Sequence, residues 1–208
     1  MKLLRESIRN ILLTEAAATM ADGPENLVIV IEDLDTWARI YYAVIADAAT
    51  GELSDALSFR DGVVAQNGDT IQGIIEIEDN DERGPCGGAW KVSWANASSG
   101  WGPLLYDVAL EWASTKASGL IPDRSSVTAD ANYVWDYYMT KRNDVEHFQL
   151  DDLYNRLTPE ENDNCNQDVA AEDPNAYDWQ ESSLSKMYVK NSSTTIDRLK
   201  QAGKLVVI

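Results

Sequence analysis

The sequence predicts an α+β fold built on a mixed, largely antiparallel sheet flanked by helices. Three observations carry this. Four short runs rich in β-branched and aromatic residues fill the first half and are separated mostly by brief polar turns. A glycine–proline junction at Gly100–Pro103 then leads straight into an amphipathic helix. From there to residue 208, strand-like and helix-like segments alternate without any internal repeat.

Taken in order, residues 1–15 (MKLLRESIRNILLTE) predict an amphipathic helix. Leu3, Leu4, Ile8, Ile11 and Leu12 share one face, and Lys2, Arg5 and Arg9 give it a basic side. It is too short and too interrupted by charge to be a secretory signal core. A small-residue linker follows, so residues 1–25 read as a targeting or docking segment and 26–208 as one domain. Strands are expected at 27–34, 38–46, 70–79 and 89–95, the last alternating Trp90, Val92, Trp94 against Lys91, Ser93, Ala95. Short connections favour antiparallel pairing among them.

Pro103 suits the first turn of a helix whose buried face is Leu104, Leu105, Val108, Ala109 and Trp112. A short extended piece (118–124) follows. Thr128 then caps a second helix with Ala131, Val134, Trp135 and Tyr138 on its inner face. Residues 144–150 and the stretch SKMYVKN read as strands. The last fifteen residues read as a short helix, a stop at Gly203 and a terminal strand. Residues 151–182 are acidic, amide-rich and poor in aliphatics, which predicts a long surface insertion.

Composition narrows function. A formal net charge of −18 over 208 residues argues against nonspecific nucleic-acid binding and against docking on anionic lipid. No apolar run approaches the ~18 residues of a membrane helix. Two cysteines, Cys86 and Cys165, are expected to be reduced, as in an intracellular protein. One histidine and two distant cysteines make no zinc site, and the acidic loops at 79–82 and 161–168 lack EF-hand spacing.

The chemistry is expected at residues 94–114, WANASSGWGPLLYDVALEWAS, where a strand passes through a glycine loop into a helix. The first amides of a helix are unpaired and favour anions, and glycines let a ligand approach the backbone. This arrangement resembles the GNAT family of N-acetyltransferases. There a strand ends in Gln/Arg-x-x-Gly-x-Gly/Ala and the next helix receives the pyrophosphate of acetyl-coenzyme A. Here the matching stretch is Ala97-Ser98-Ser99-Gly100-Trp101-Gly102, and SSVTADANYVWDYY resembles the family's late helix with its Ala-x-x-x-Tyr pattern. The resemblance covers about residues 27–150.

It implies a GNAT-like acyltransferase moving an acetyl group from acetyl-coenzyme A to an unidentified amine. Gly100, Trp101 and Gly102 would hold the pyrophosphate by backbone amides, with Ser98 and Ser99 adding hydroxyls. Ala97 stands where the family has Gln or Arg, Pro103 removes one amide, and Trp135 aligns with the late-helix tyrosine, leaving Tyr137 or Tyr138 as general acid. Glu76 and Glu78, two apart and on one strand face, are the candidate bases. A cleft is expected between the end of 89–95 and a parallel strand at 119–123; large side chains filling it would exclude the enzyme.

Two other readings follow from the sequence. Cys86 and His147 are the candidates for a papain-like thiolate dyad. The alternative to catalysis is a virion or assembly protein of a tailed phage that retains the fold and docks on phage structural proteins. Leu13-Thr14-Glu15 resembles the Leu/Ile-x-Glu sites of phage head-maturation proteases, a tripeptide that Ile74-Ile75-Glu76 also matches. The whole chain is similar to proteins of large marine tailed phages, which places it in the virion or the infected-host cytoplasm.

Overall fold

The computed structural model describes residues 18–47, 50–53, 62–64, 68–79, 84–154, 156–169 and 179–208. The expected helix at 1–15 lies outside the described residues. The fold is α+β. The main sheet runs β11 (Leu205–Val207), β1 (Leu27–Asp33), β2 (Trp37–Asp47), β6 (Gly73–Glu78), β7 (Trp90–Ala97), β8 (Leu120–Ile121), β10 (Lys186–Val189), β9 (Glu146–Gln149). Strand β3 (Glu52–Leu53) pairs with β2, while β4 (Val63–Val64) and β5 (Thr70–Ile71) form a separate pair. The helices are α1 (Gly102–Lys116), α2 (Ala129–Lys141) and α3 (Thr194–Gln201). None among the described residues is long and apolar enough to cross a membrane.

Neighbouring strands β1, β2, β6 and β7 are antiparallel, although β2 and β6 are joined by a long excursion that carries β3, β4 and β5. Two pairings are parallel: β7 with β8 through the α1 crossover, and β1 with the terminal strand β11. The expected strand 70–79 is split at Gln72. Ser98 N–H donates to the Gln72 carbonyl, and the Gln72 amide donates to Ser98 Oγ, so this residue is tied to the loop after β7 rather than to a strand.

One sheet face presents Ile29, Ile31, Ile40, Ile75, Ile77, Val92, Trp90, Leu120 and Tyr188 to a core shared with all three helices. Helix α1 is buried on most sides, and its Glu111 is buried too. The Glu111 carboxylate accepts from the amides of Thr195 (2.8 Å) and Ile196 (2.7 Å) at the start of α3, and it pairs with buried Lys190 at 2.6 Å. Four donors on one carboxylate, counting the Thr194 hydroxyl, explain how a charge survives there.

The reverse face is covered at one end by the late insertion. Ala89, Ile121 and Met187 point there, onto Leu150, Cys86 and Cys165. The expectation of reduced cysteines is corrected: Cys86 and Cys165 form a disulfide, with Cα atoms 4.8 Å apart. The insertion folds back so that Cys86 N–H donates to the Asn164 carbonyl and Gly87 N–H to that of Asn162. Residues 156–169 are therefore anchored surface, not a free appendage. A Cys86–His147 dyad is excluded with it, because the sulfur is bonded and His147 sits exposed on β9.

Replacing Glu111 by Gln leaves buried Lys190 with Asp144, at 3.4 Å, as its remaining counter-charge and should cost about 3 kcal/mol in urea denaturation. Burial pushes the Glu111 carboxyl up, but bonds from Ile196, Lys190 and Thr195 outweigh it and hold the group below its ordinary value. Its contribution is then complete above the unfolded value near 4.5 and is lost as pH falls through the folded one. Stability of the Gln variant should accordingly fall less steeply on the acid side than that of the parent. Reducing the disulfide, which joins residues 79 apart, should lower unfolding free energy by about 2–5 kcal/mol, read with and without reductant.

Candidate functional site

Strand β7 begins between two neighbours and ends with one. It pairs with β8 only at Trp90↔Leu120 and Lys91↔Ile121, whereas pairing with β6 continues to Gly73↔Ala97. The register against β6 shifts between Glu76↔Trp94 and Ile77↔Val92, so Ser93 is an extra residue, a β-bulge. Beyond Lys91 the outer edge of β7 is free of β8.

That strand feeds the glycine loop, and the loop is braced by its carbonyls. Ser98 O accepts from Trp101 N–H (3.0 Å), Gly100 O from Ala18 N–H (2.9 Å) and Trp101 O from the buried Tyr42 hydroxyl (2.8 Å). With these turned into the protein, the Ser99 and Gly100 amides have no acceptor among the described residues. Gly100 has φ +85°, a conformation that side chains resist. Trp101 at the cap offers α1 no side-chain acceptor, and no acidic residue stands in the first turn. Two amides thus stand unpaired beside an uncapped helix start.

They open onto a cavity of about 690 Å³. One wall is the end of β7 and the loop, Ala95 to Gly100; another is α1 at Gly102, Pro103, Leu105 and Tyr106; a third is α2 from Thr128 to Val134. Ala95 and Asn96 both line it although they point to opposite faces of the sheet, as do Ile75 and Ile74 beneath them. The cavity therefore draws on both faces at the free edge of β7. The second wall expected from residues 119–123 is instead α2. Behind that wall Trp135 is buried and packs on Tyr106, Tyr138 and Tyr188 at centroid distances of 5.7, 6.0 and 5.1 Å.

Of the residues expected to hold a coenzyme, Ser98, Ser99, Gly100 and Gly102 line the cavity. Trp101 does not; its ring is buried against Tyr42 in an edge contact at 5.2 Å. Among the expected catalytic residues, Glu76 and Glu78 lie on the reverse face, ion-paired to Arg39 and Lys91 at 2.8 Å each. Tyr138 is fully buried and donates to Asp107 at 2.7 Å, with burial and then Asp107 pushing its phenol well up. Tyr137 is half-buried against the core and also outside the cavity.

The hydroxyl-bearing aromatics that do line it are Tyr106 and Tyr133. Burial raises the Tyr106 phenol to about 12, so it stays protonated at neutral pH. Tyr133 was within reach of sequence reasoning. The same Ala-x-x-x-Tyr spacing counted from Ala129, instead of Ala131, falls on it. Among the described residues Asp130 is the one charged side chain in the lining, and no Lys, Arg or His contributes. Among the described residues no cluster of His, Cys, Asp and Glu can hold a metal ion.

Compared with known protein families, curated proteins and solved structures, the chain matches none.

Gly100→Ala should test the loop's backbone alone. A Cβ at φ +85° costs about 1–2 kcal/mol, so thermal stability should fall modestly without loss of the fold.

Proposed function

We propose that the protein is a GNAT-like acyltransferase that moves an acetyl group from acetyl-coenzyme A to an amine. One observation carries this reading: unpaired amides of a braced glycine loop, at an uncapped helix start, open onto a cavity beside a free strand edge. Crevices at the carboxyl ends of parallel strands with a helical crossover are where such sheets bind ligands, and this one follows β7.

The residues present fit an anionic coenzyme. Ser99 and Gly100 have amides to offer, and a side chain at Gly102 would only approach Ala97 at 3.7 Å, so nothing crowds the cradle. The coenzyme, when bound, supplies the activated thioester. The chain's own groups do the rest. Amides of the loop and first turn of α1 hold the pyrophosphate against the field of an acidic protein, because a local array of oriented N–H groups outweighs distant charge. The Ser98 hydroxyl, already accepting from Gln72, keeps its proton for donation. The free edge of β7 offers backbone groups to an extended amide chain. Tyr133 is the proton donor to the departing thiolate, and Asp130 the nearest carboxylate able to take a proton from the amine.

Isothermal titration of the full chain with acetyl-coenzyme A should give micromolar binding, abolished in Gly102→Trp, whose indole would occupy the cradle while the fold persists. Tyr133→Phe should bind the coenzyme as tightly but lower kcat by about 100-fold. No heat at millimolar coenzyme would overturn the reading and favour a non-catalytic phage virion or assembly protein.

A further inference from the structure

The polypeptide enters the fold at the edge of the cavity. Ala18 N–H donates to the Gly100 carbonyl at 2.9 Å, and Gly100 is part of the cavity lining. Thr19 and Asp22 then close a turn, the Thr19 amide and hydroxyl donating to the Asp22 carboxylate at 2.7 and 2.8 Å. Ala18 and Met20 pack on the main core. A side chain at Gly23 would come within 3.4 Å of the Trp101 ring. Residues 18–23 are thus fastened along the glycine loop, which fixes the point from which residues 1–17 extend.

Reach, apolarity and charge all match that segment to the cavity. Leu12 stands six residues before Ala18. Three of those residues at helical rise and three fully extended span at most about 15 Å, so one end of the apolar stripe stays near the opening. A tether this short holds the segment at roughly millimolar effective concentration. The helix expected at residues 1–15 carries Leu3, Leu4, Ile8, Ile11 and Leu12 on one face, and a helix of that length is marginal unless such a face is covered. The cavity offers about 690 Å³ walled by Ile74, Ile75, Ala97, Leu105 and Val134. Lys2, Arg5 and Arg9 outnumber Glu6 and Glu15, so the segment is net positive on a chain of −18, and the exposed Asp130 lines the same cavity.

We infer that residues 1–15 dock in this cavity, the apolar stripe on its aliphatic walls and the basic side toward Asp130 and the acidic exterior. The partner of the cavity is then a segment of the same chain. A small ligand entering there has to displace it, and its apparent affinity is reduced by the fraction of molecules in which the segment is docked.

The test uses the full chain with Leu12 replaced by the photocrosslinking residue p-benzoylphenylalanine, irradiated without added ligand. The expected product is an intrachain crosslink that maps to residues 95–106 or 128–134. Leu13 falls on the opposite side of the same helix, and the probe placed there should give no such product. Adding Ile8→Asp to the Leu12 probe should lower the cavity crosslink about fivefold, with circular dichroism checking that the fold is kept. No crosslink into the cavity, or crosslinks only to other surfaces or to a second copy, would overturn the docking. A yield unchanged by Ile8→Asp would overturn it too, because the tether alone would then account for proximity. On the acyltransferase reading, Ile8→Asp should also bind acetyl-coenzyme A about tenfold more tightly than the parent, and equal affinity would overturn the competition. The crosslink is read without coenzyme, so failure of parent and variant alike to bind it would overturn the acyltransferase reading and not the docking.

Discussion

A β-strand inside a domain has two edges of backbone donors and acceptors, and β7 keeps both satisfied by neighbouring strands only at its start. Past Lys91 its outer edge parts from β8, and the rest of the structure is arranged around that parting. Trp135 and three tyrosines pack together in the core beside α1 and α2. The Ser93 bulge turns the strand where its neighbour is lost. At the wide end the described residues leave the cavity open, and the glycine loop with its unpaired amides sits at that opening. The cavity is what remains when a sheet is divided and only half repaired.

The helix that starts at the opening must be held still for its amides to be aimed. That task falls to the other end of α1. Glu111 binds the first amides of α3 and the ammonium of Lys190, so α1 is fastened to the strand and helix that complete the sheet far along the chain. A second polar chain runs from Tyr138 through Asp107 and Arg142 to Asp144, and Asp144 lies 3.4 Å from Lys190. Helices α1 and α2, which form two walls of the cavity, thereby share one charged network with β10. The cavity end of α1 is thereby steadied by ion pairs at its far end.

Much of this was legible in the sequence because it depends on local rules. The proline at the start of α1, the Thr128 cap with its bond to Ala131 N–H and the Gly203 stop all have short-range causes, and each appears where expected. The alternation expected in 89–95 is broken instead, because the Ser93 bulge turns Trp94 to the face of Glu76, away from Trp90 and Val92. The loop was legible too, as a glycine turn between strand and helix. What escaped depends on contacts between distant residues. Nothing local tells that Glu76 and Glu78 meet Arg39 and Lys91, that Cys165 returns to Cys86, or that the terminal strand lies parallel to β1. The error at the late helix was one of phase. Ala129 and Ala131 both open an Ala-x-x-x pattern, and only packing tells that Trp135 turns into the core while Tyr133 turns to the cavity.

The Cys86–Cys165 bond has a topological consequence. It closes the chain into a covalent ring, and residues 95–134, hence the loop, α1 and most of the cavity wall, lie wholly within it. A single backbone cut inside the ring would linearise it without releasing a fragment. The two pieces would stay joined through sulfur, migrating as one species until reduced. A cut between the ring and β10 would instead leave β10, α3 and β11 held by strand pairing, core packing and the contacts of Glu111, with no covalent link. The molecule thus divides into a part that a protease can nick but not dismantle and a tail retained by noncovalent contacts.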